Sequence, residues 1–145
     1  MNEVFQPRLS EGARNVNWLL DNFVAQTEGV EQAVGVSADG LLMAISSPLD
    51  RADADRFAAS LSGLISLALG TSRVLRKGPL RQVITEFGQG YLLVQSIGDG
   101  SCLGVVTSGQ CDLGLVGYQS TLLVQRIGQL LSPELIAELK TNLLR

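Results

Sequence analysis

The sequence predicts an α+β domain in which a five-stranded antiparallel sheet lies between helices. Three observations carry that prediction. Asp39-Gly40 divides the apolar runs 33–37 and 41–45, and Asp99-Gly100 divides 91–97 from 102–107, each a tight-hairpin signal. These runs are apolar almost throughout instead of alternating, as strands are when both faces of a sheet are covered. Segments with helical spacing precede, separate and follow the two groups of strands. The 145 residues suit one such domain around one core, with no internal repeat.

Along the chain, residues 1–14, with Pro7 and Gly12, read as a flexible tail, and residues 15–145 as the domain. A first helix over 15–28 buries Leu19, Leu20, Phe23 and Val24, with Trp18 beside them, and Gly29 ends it. The first hairpin follows, and Pro48 closes its second strand. A long helix over 53–75 carries Asp50, Asp53 and Asp55 at its positive end and Arg73, Arg76 and Lys77 at its negative end, as the helix dipole favours. Gly78-Pro79 stops it. Three strands then form a meander: 81–87 at an edge, 91–97 central, and 102–107. Asp112 caps a helix over 113–131, and Ser132-Pro133 restarts a short amphipathic helix bearing Leu135, Leu139 and Leu143.

Composition removes several functions. Hydrophobic residues make up 46% of the chain and charged ones 17%, a balance that implies apolar surface covered by a partner. The net charge of −3 disfavours general nucleic-acid binding. Histidine is absent, which removes Ser-His-Asp and Cys-His catalysis and any His-ligated metal. Asp39 and Asp99 each precede a glycine and read as turn formers, not catalysts. Gly98-Asp99-Gly100 with Gly104 has the wrong spacing for a dinucleotide loop and joins two strands, so no cofactor is expected. No run approaches the roughly 18 apolar residues of a membrane span, and Met1-Asn2-Glu3 does not open a secretion signal, so a cytoplasmic protein without membrane insertion is expected.

The long helix is the most informative element. At about 100° per residue, Phe57, Leu61, Leu64, Ala68 and Leu75 form the stripe expected to lie on the sheet, while Asp55, Ser62, Ser66 and Arg73 face solvent. Ser60, Gly63, Leu67, Gly70 and Val74 run along one flank. Two glycines inside a helix cost about 2 kcal/mol relative to alanine. Close approach of a second copy of the helix would offset that cost; crowding within one subunit is the other explanation. The edge strand, with Val83, Ile84, Thr85 and Phe87 and no proline, is hazardous unless paired. Pairing it with its own copy about a two-fold axis gives one continuous extended sheet.

Arg73, Arg76, Lys77 and Arg81 fall within nine positions and form a candidate patch for an acidic partner. Charge complementarity at a helix end and a solvated loop explain the same cluster. Cys102 reads as a small buried hydrophobe, and Cys111, just before a helix, as the more reactive of a candidate redox pair. Tyr91 and Tyr118 read as amphipathic packing residues.

Several stretches resemble one family. Residues 17–23 (Asn-Trp-Leu-Leu-Asp-Asn-Phe), 36–42 (Val-Ser-Ala-Asp-Gly-Leu-Leu), Ser62-Gly63-Leu64, Arg81-Gln82-Val83-Ile84, Gly90-Tyr91-Leu92 and 111–118 (Cys-Asp-Leu-Gly-Leu-Val-Gly-Tyr) are similar to the roadblock/dynein light chain domain. The bacterial, actinobacterial-type members are the most similar in wording. The resemblance covers about residues 15–140. It implies a profilin-like fold and a non-enzymatic homodimer joined through its long helix and third strand. It also implies a small Ras-like GTPase as partner, in an operon (conservon) that encodes a sensor-kinase-like membrane protein. Some family members accelerate GTP hydrolysis and others only scaffold. A small-molecule sensor of related fold is the alternative, but it requires convergent polar groups, and these strands offer almost none.

Overall fold

The computed structural model describes residues 9–98 and 100–143. Its elements are α1 (Glu11–Gln26), β1 (Val30–Val36), β2 (Leu42–Ile45), α2 (Arg51–Leu75), β3 (Val83–Phe87), β4 (Gly90–Ser96), β5 (Cys102–Ser108), α3 (Leu113–Leu130) and α4 (Pro133–Leu143). The five strands form one antiparallel sheet in the order β2-β1-β5-β4-β3. The first eight residues of the expected tail, with Pro7, and the turn residue Asp99 lie outside the described residues.

Strand periodicity divides the core into two layers. Val34, Val36, Leu92, Val94 and Cys102 point to one face and pack with Ala58, Leu61 and Ile65 of α2. Ala33, Leu93, Leu103 and Val105 point to the other, against Val16 and Leu20 of α1, Val116 and Leu123 of α3, and Leu135 and Leu139 of α4. Helices on both faces explain the apolar strands.

Helix ends follow their caps. Asp50 and Asp112 accept the backbone N–H of Asp53 and Leu115 at 2.9 and 3.1 Å. Donation from the Asp53 backbone holds the Asp50 carboxyl below its usual range. Helix α1 starts before position 15: Ser10 caps it by accepting from the N–H of Ala13 at 3.1 Å, so residues 11–14 are helical. Ser10 is itself held by Glu138 of α4, to which its N–H donates at 3.1 Å and its hydroxyl at 2.5 Å. That long-range anchor has no local sequence signature. Trp18 faces outward instead of packing beside Leu20, and Tyr118 is exposed as well. Helix α2 ends at Arg76, which adopts a left-handed φ of 53° ahead of Gly78-Pro79. A non-glycine residue there carries a steric cost that the N–H of Arg76 and Lys77, bonded back to Arg73 and Ser72, offsets.

In the first hairpin, Gly40 takes a φ of 81°, as the Asp-Gly signal requires. Asp39 accepts from the Ser37 hydroxyl and, at 3.1 Å, from Lys140 of α4. Those contacts hold its carboxyl below the usual range, the Ser37 hydroxyl first. Two glycines mark close approaches: a Cβ at Gly90 would lie 2.1 Å from the Thr107 carbonyl oxygen, and one at Gly104 2.7 Å from Leu61 Cδ1.

The cysteines sit in different layers. Cys102 packs under α2, where burial pushes its thiol up to about 11, whereas Cys111 packs on the α1/α3 side and its thiol donates to Thr107 at 3.3 Å. The sheet separates them, which removes the redox pair. A thiol reagent at pH 8 is expected to label Cys111 alone in native protein and Cys102 only after unfolding. Equal labelling of both in the native state would refute this packing. Gly90→Ala is expected to destabilise by roughly 1–3 kcal/mol, because the obstacle is backbone that cannot yield. A drop in the urea midpoint at unchanged m-value is the measurement.

Candidate functional site: an uncovered helix flank and sheet edge

Helix α2 has 25 residues, about 37 Å. Five strands give a sheet only about 24 Å wide, and the longest strands are about as long. The helix therefore overruns its support. It buries only Ala54, Ala58, Leu61 and Ile65, and Val74 and Leu75 at its far end are exposed. The observed stripe is rotated by roughly 50° from the expected one, away from Ser60 and Gly63. Phe57, Leu64 and Ala68 are only half-buried, and Leu75, expected on the sheet, faces solvent.

That rotation leaves a greasy flank. Leu67 is 74% exposed and Val74 82%. A Cβ placed on Gly63 or Gly70 would meet nothing within 4 Å. The two glycines therefore relieve no crowding within this subunit. Ser60 and Thr71 turn their hydroxyls back to the carbonyls of Arg56 and Leu67, at 2.9 and 2.8 Å, leaving mainly carbon outward. Over an 18-residue window the hydropathy of α2 reaches 1.3, so by length and composition it satisfies a membrane-span test, contrary to the expectation above. Its charged first turn and buried stripe seat it on the sheet.

Beside this flank lies the edge strand β3. Val83, Thr85 and Phe87 share the α2 face, since they pair with Val94, Leu92 and Gly90. Phe87 is 57% exposed. A hollow of about 700 Å³ joins the two elements, lined by Ser60, Gly63, Leu67, Thr85, Phe57 and Phe87 among others. Four of the expected interface residues thus meet in one concavity. Gly70 and Val74 continue the flank beyond it, and Val83 packs half-buried against the core behind it. Phe57 and Leu64 were placed on the sheet stripe by their size; only the rotation of the helix brings them to the hollow.

The basic cluster divides. Arg73, Arg76 and Lys77 are exposed at the end of α2 and make no ion pair with any described residue. Arg81 instead borders a cleft against α3, on the opposite side of the sheet. Among the described residues no group of Cys, Asp and Glu is placed to hold a metal.

The Roadblock/LC7 domain family model matches residues 16–107, more than half of the chain, ending before α3. A solved Roadblock/LC7 domain from Streptomyces avermitilis is 34% identical, over 77% of this chain and 92% of that one, with a TM-score of 0.71. MglB from Myxococcus xanthus is 15% identical over 88% of this chain and 98% of its own, with a TM-score of 0.75. The gliding protein mglB from Thermus thermophilus is 14% identical over 87% and 97%, with a TM-score of 0.73. At those two identities the likeness is one of fold. No curated protein matches. The chain belongs to the Roadblock/LC7 domain family.

Proposed function

We propose that this protein is a cytoplasmic, non-enzymatic homodimer that regulates or scaffolds a small Ras-like GTPase. One observation carries the dimer: the glycines of α2 open onto empty space beside an apolar hollow and an unpaired sheet edge. A second copy supplies what each feature lacks. Its own α2 packs against Gly63, Leu67, Gly70 and Val74, where missing side chains let two backbones come close. Its β3 pairs with β3 about a two-fold axis near Thr85, completing hydrogen bonds that edge strands otherwise leave open. Phe57, Phe87 and Leu92 then close into a shared core. A structure of MglB, of the same fold, is described as having a tetrameric arrangement, which supports self-association as a use of this fold.

The GTPase reading rests on family resemblance and on charge. Arg73, Arg76 and Lys77 rim the end of the paired helices without internal partners, an arrangement that steers an acidic surface. The rest of the pathway that the resemblance implies, a sensor-kinase-like membrane protein, belongs to the same proposal.

Sedimentation of the pure protein is expected to give twice the 15.4 kDa chain mass. Leu67→Glu should shift the equilibrium toward monomer by about a hundredfold, with unchanged far-UV circular dichroism because Leu67 is exposed in the subunit. A wild-type monomer at about 100 µM, a concentration at which even a weak dimer of micromolar Kd would form, would exclude the shared platform. Given a cognate GTPase, replacing Arg73, Arg76 and Lys77 together with Ala is expected to slow association and flatten its salt dependence. Unchanged association kinetics would take the patch out of the mechanism. GTP turnover with and without this protein separates an activator from a scaffold.

A further inference from the structure

On the sheet face opposite α2, a cleft of about 640 Å³ runs between the approach to β3 and the flank of α3. Arg81 and Gln82 border one side, Gly114, Gly117 and Thr121 the other, and Gln95 of β4 lies between them. It lies away from the α2 flank and requires no GTPase.

Gln95 is the residue that packing alone does not explain. It follows the apolar Leu93 and Val94 and is only 6% exposed. Its Nε2 donates to Gln82 Oε1 and to Thr121 Oγ1, each at 3.2 Å, while the Thr121 hydroxyl donates to the Gly117 carbonyl at 2.9 Å. Because the single hydroxyl proton of Thr121 is committed there, Thr121 can only accept from Gln95. That fixes the carboxamide orientation and leaves Gln95 Oε1 buried without a donor. An apolar side chain would have filled the site without an unsatisfied acceptor.

Arg81 supplies the second observation. It is the only charged side chain lining the cleft, and no described carboxylate pairs with it. The N-terminus of α3 does not compete for an anion, because Asp112 already occupies it. Shape supplies the third. The cleft follows α3 from Leu113 to Gln125, about 18 Å at 1.5 Å per residue. That is the length of about five or six extended residues at about 3.3 Å each. A Cβ at Gly117 would still stand 3.8 Å from Gln82, so no side chain crosses the channel there.

We infer that this cleft holds an extended acidic peptide segment from a protein partner. A carboxylate of the segment sits on Arg81. The exposed Gln82 side chain withdraws, and a main-chain N–H of the segment donates to Gln95 Oε1. Gln82 and Gln125 each carry a donor and an acceptor, which match further main-chain amides. A small free acid would use Arg81 alone and leave the amide row unmatched, which is why the ligand is a peptide.

The test uses the full-length protein, ¹⁵N-labelled, titrated with a panel of blocked heptapeptides of serine and valine carrying one aspartate at successive positions. Free aspartate and the same peptide without an acid are the controls. Aspartate peptides are expected to move the Gln95 side-chain and Thr121 backbone resonances, while free aspartate at equal concentration does not. Arg81→Glu, at an exposed position, should weaken binding at least about tenfold with an otherwise unchanged spectrum. Gln95→Met should fold and also bind at least about tenfold more weakly, since it removes the buried acceptor. Three outcomes would overturn the inference. No peptide of the panel moves those resonances at millimolar concentration; free aspartate moves them as strongly, marking a small-acid site; or Gln95→Met binds like wild type, marking water as the only partner of Oε1.

Discussion

The seating of Leu61 on Gly104 governs the rest of the structure. With hydrogen at position 104, the Leu61 side chain reaches β5 at a depth that a Cβ would deny it, and Ala54 and Ala58 keep the neighbouring turns equally low. A helix held this close on small residues buries a narrow stripe. Large side chains on either side of that stripe, Phe57 and Leu64, cannot also reach the sheet and are left at the rim. The same contact that packs α2 against the core therefore creates its exposed apolar flank.

The two edges of the sheet meet opposite fates for related reasons. Strand β2 has four residues, and α4 lies beside it, tied to the adjoining turn by Lys140 and Asp39. Strand β3 has five residues, and on its α2 side only the hollow lies beside it. A short, covered edge and an open, apolar one within one sheet are what a single-faced association requires. Growth is directed to β3 and blocked at β2, so that pairing closes after two copies instead of continuing into a fibre.

Much of this was legible in the residues. Asp-Gly at 39–40, the caps Asp50 and Asp112, and the Ser-Pro restart at 132–133 are local signals. Each is satisfied by atoms within a few residues, so a sequence can display it. What failed was tertiary in origin. Helix α1 begins at Glu11 because Glu138 holds its cap from 128 positions away. The buried stripe of α2 was misjudged because large apolar residues were taken to mark the core, whereas the sheet selected alanines to match Gly104. Arg81 was grouped with Arg73 by proximity in the chain, although the turn between them carries it to the other side of the sheet. The near absence of polar groups in the strands concealed Gln95, whose partners Gln82 and Thr121 come from two other segments.

These corrections share a direction. The sequence states what each segment prefers; the fold decides which preferences conflict, and the conflicts lie at the surfaces available for partners. Glycines at 63 and 70 weaken a helix that otherwise gains nothing from them. Arg76 occupies a left-handed cap that glycine would fill at lower cost. Gln95 stands where an apolar residue would pack without an orphaned oxygen. A chain shaped for the stability of one subunit alone would have replaced all of them. Their local costs are intelligible when the energy they forgo within the subunit is returned by contacts between molecules.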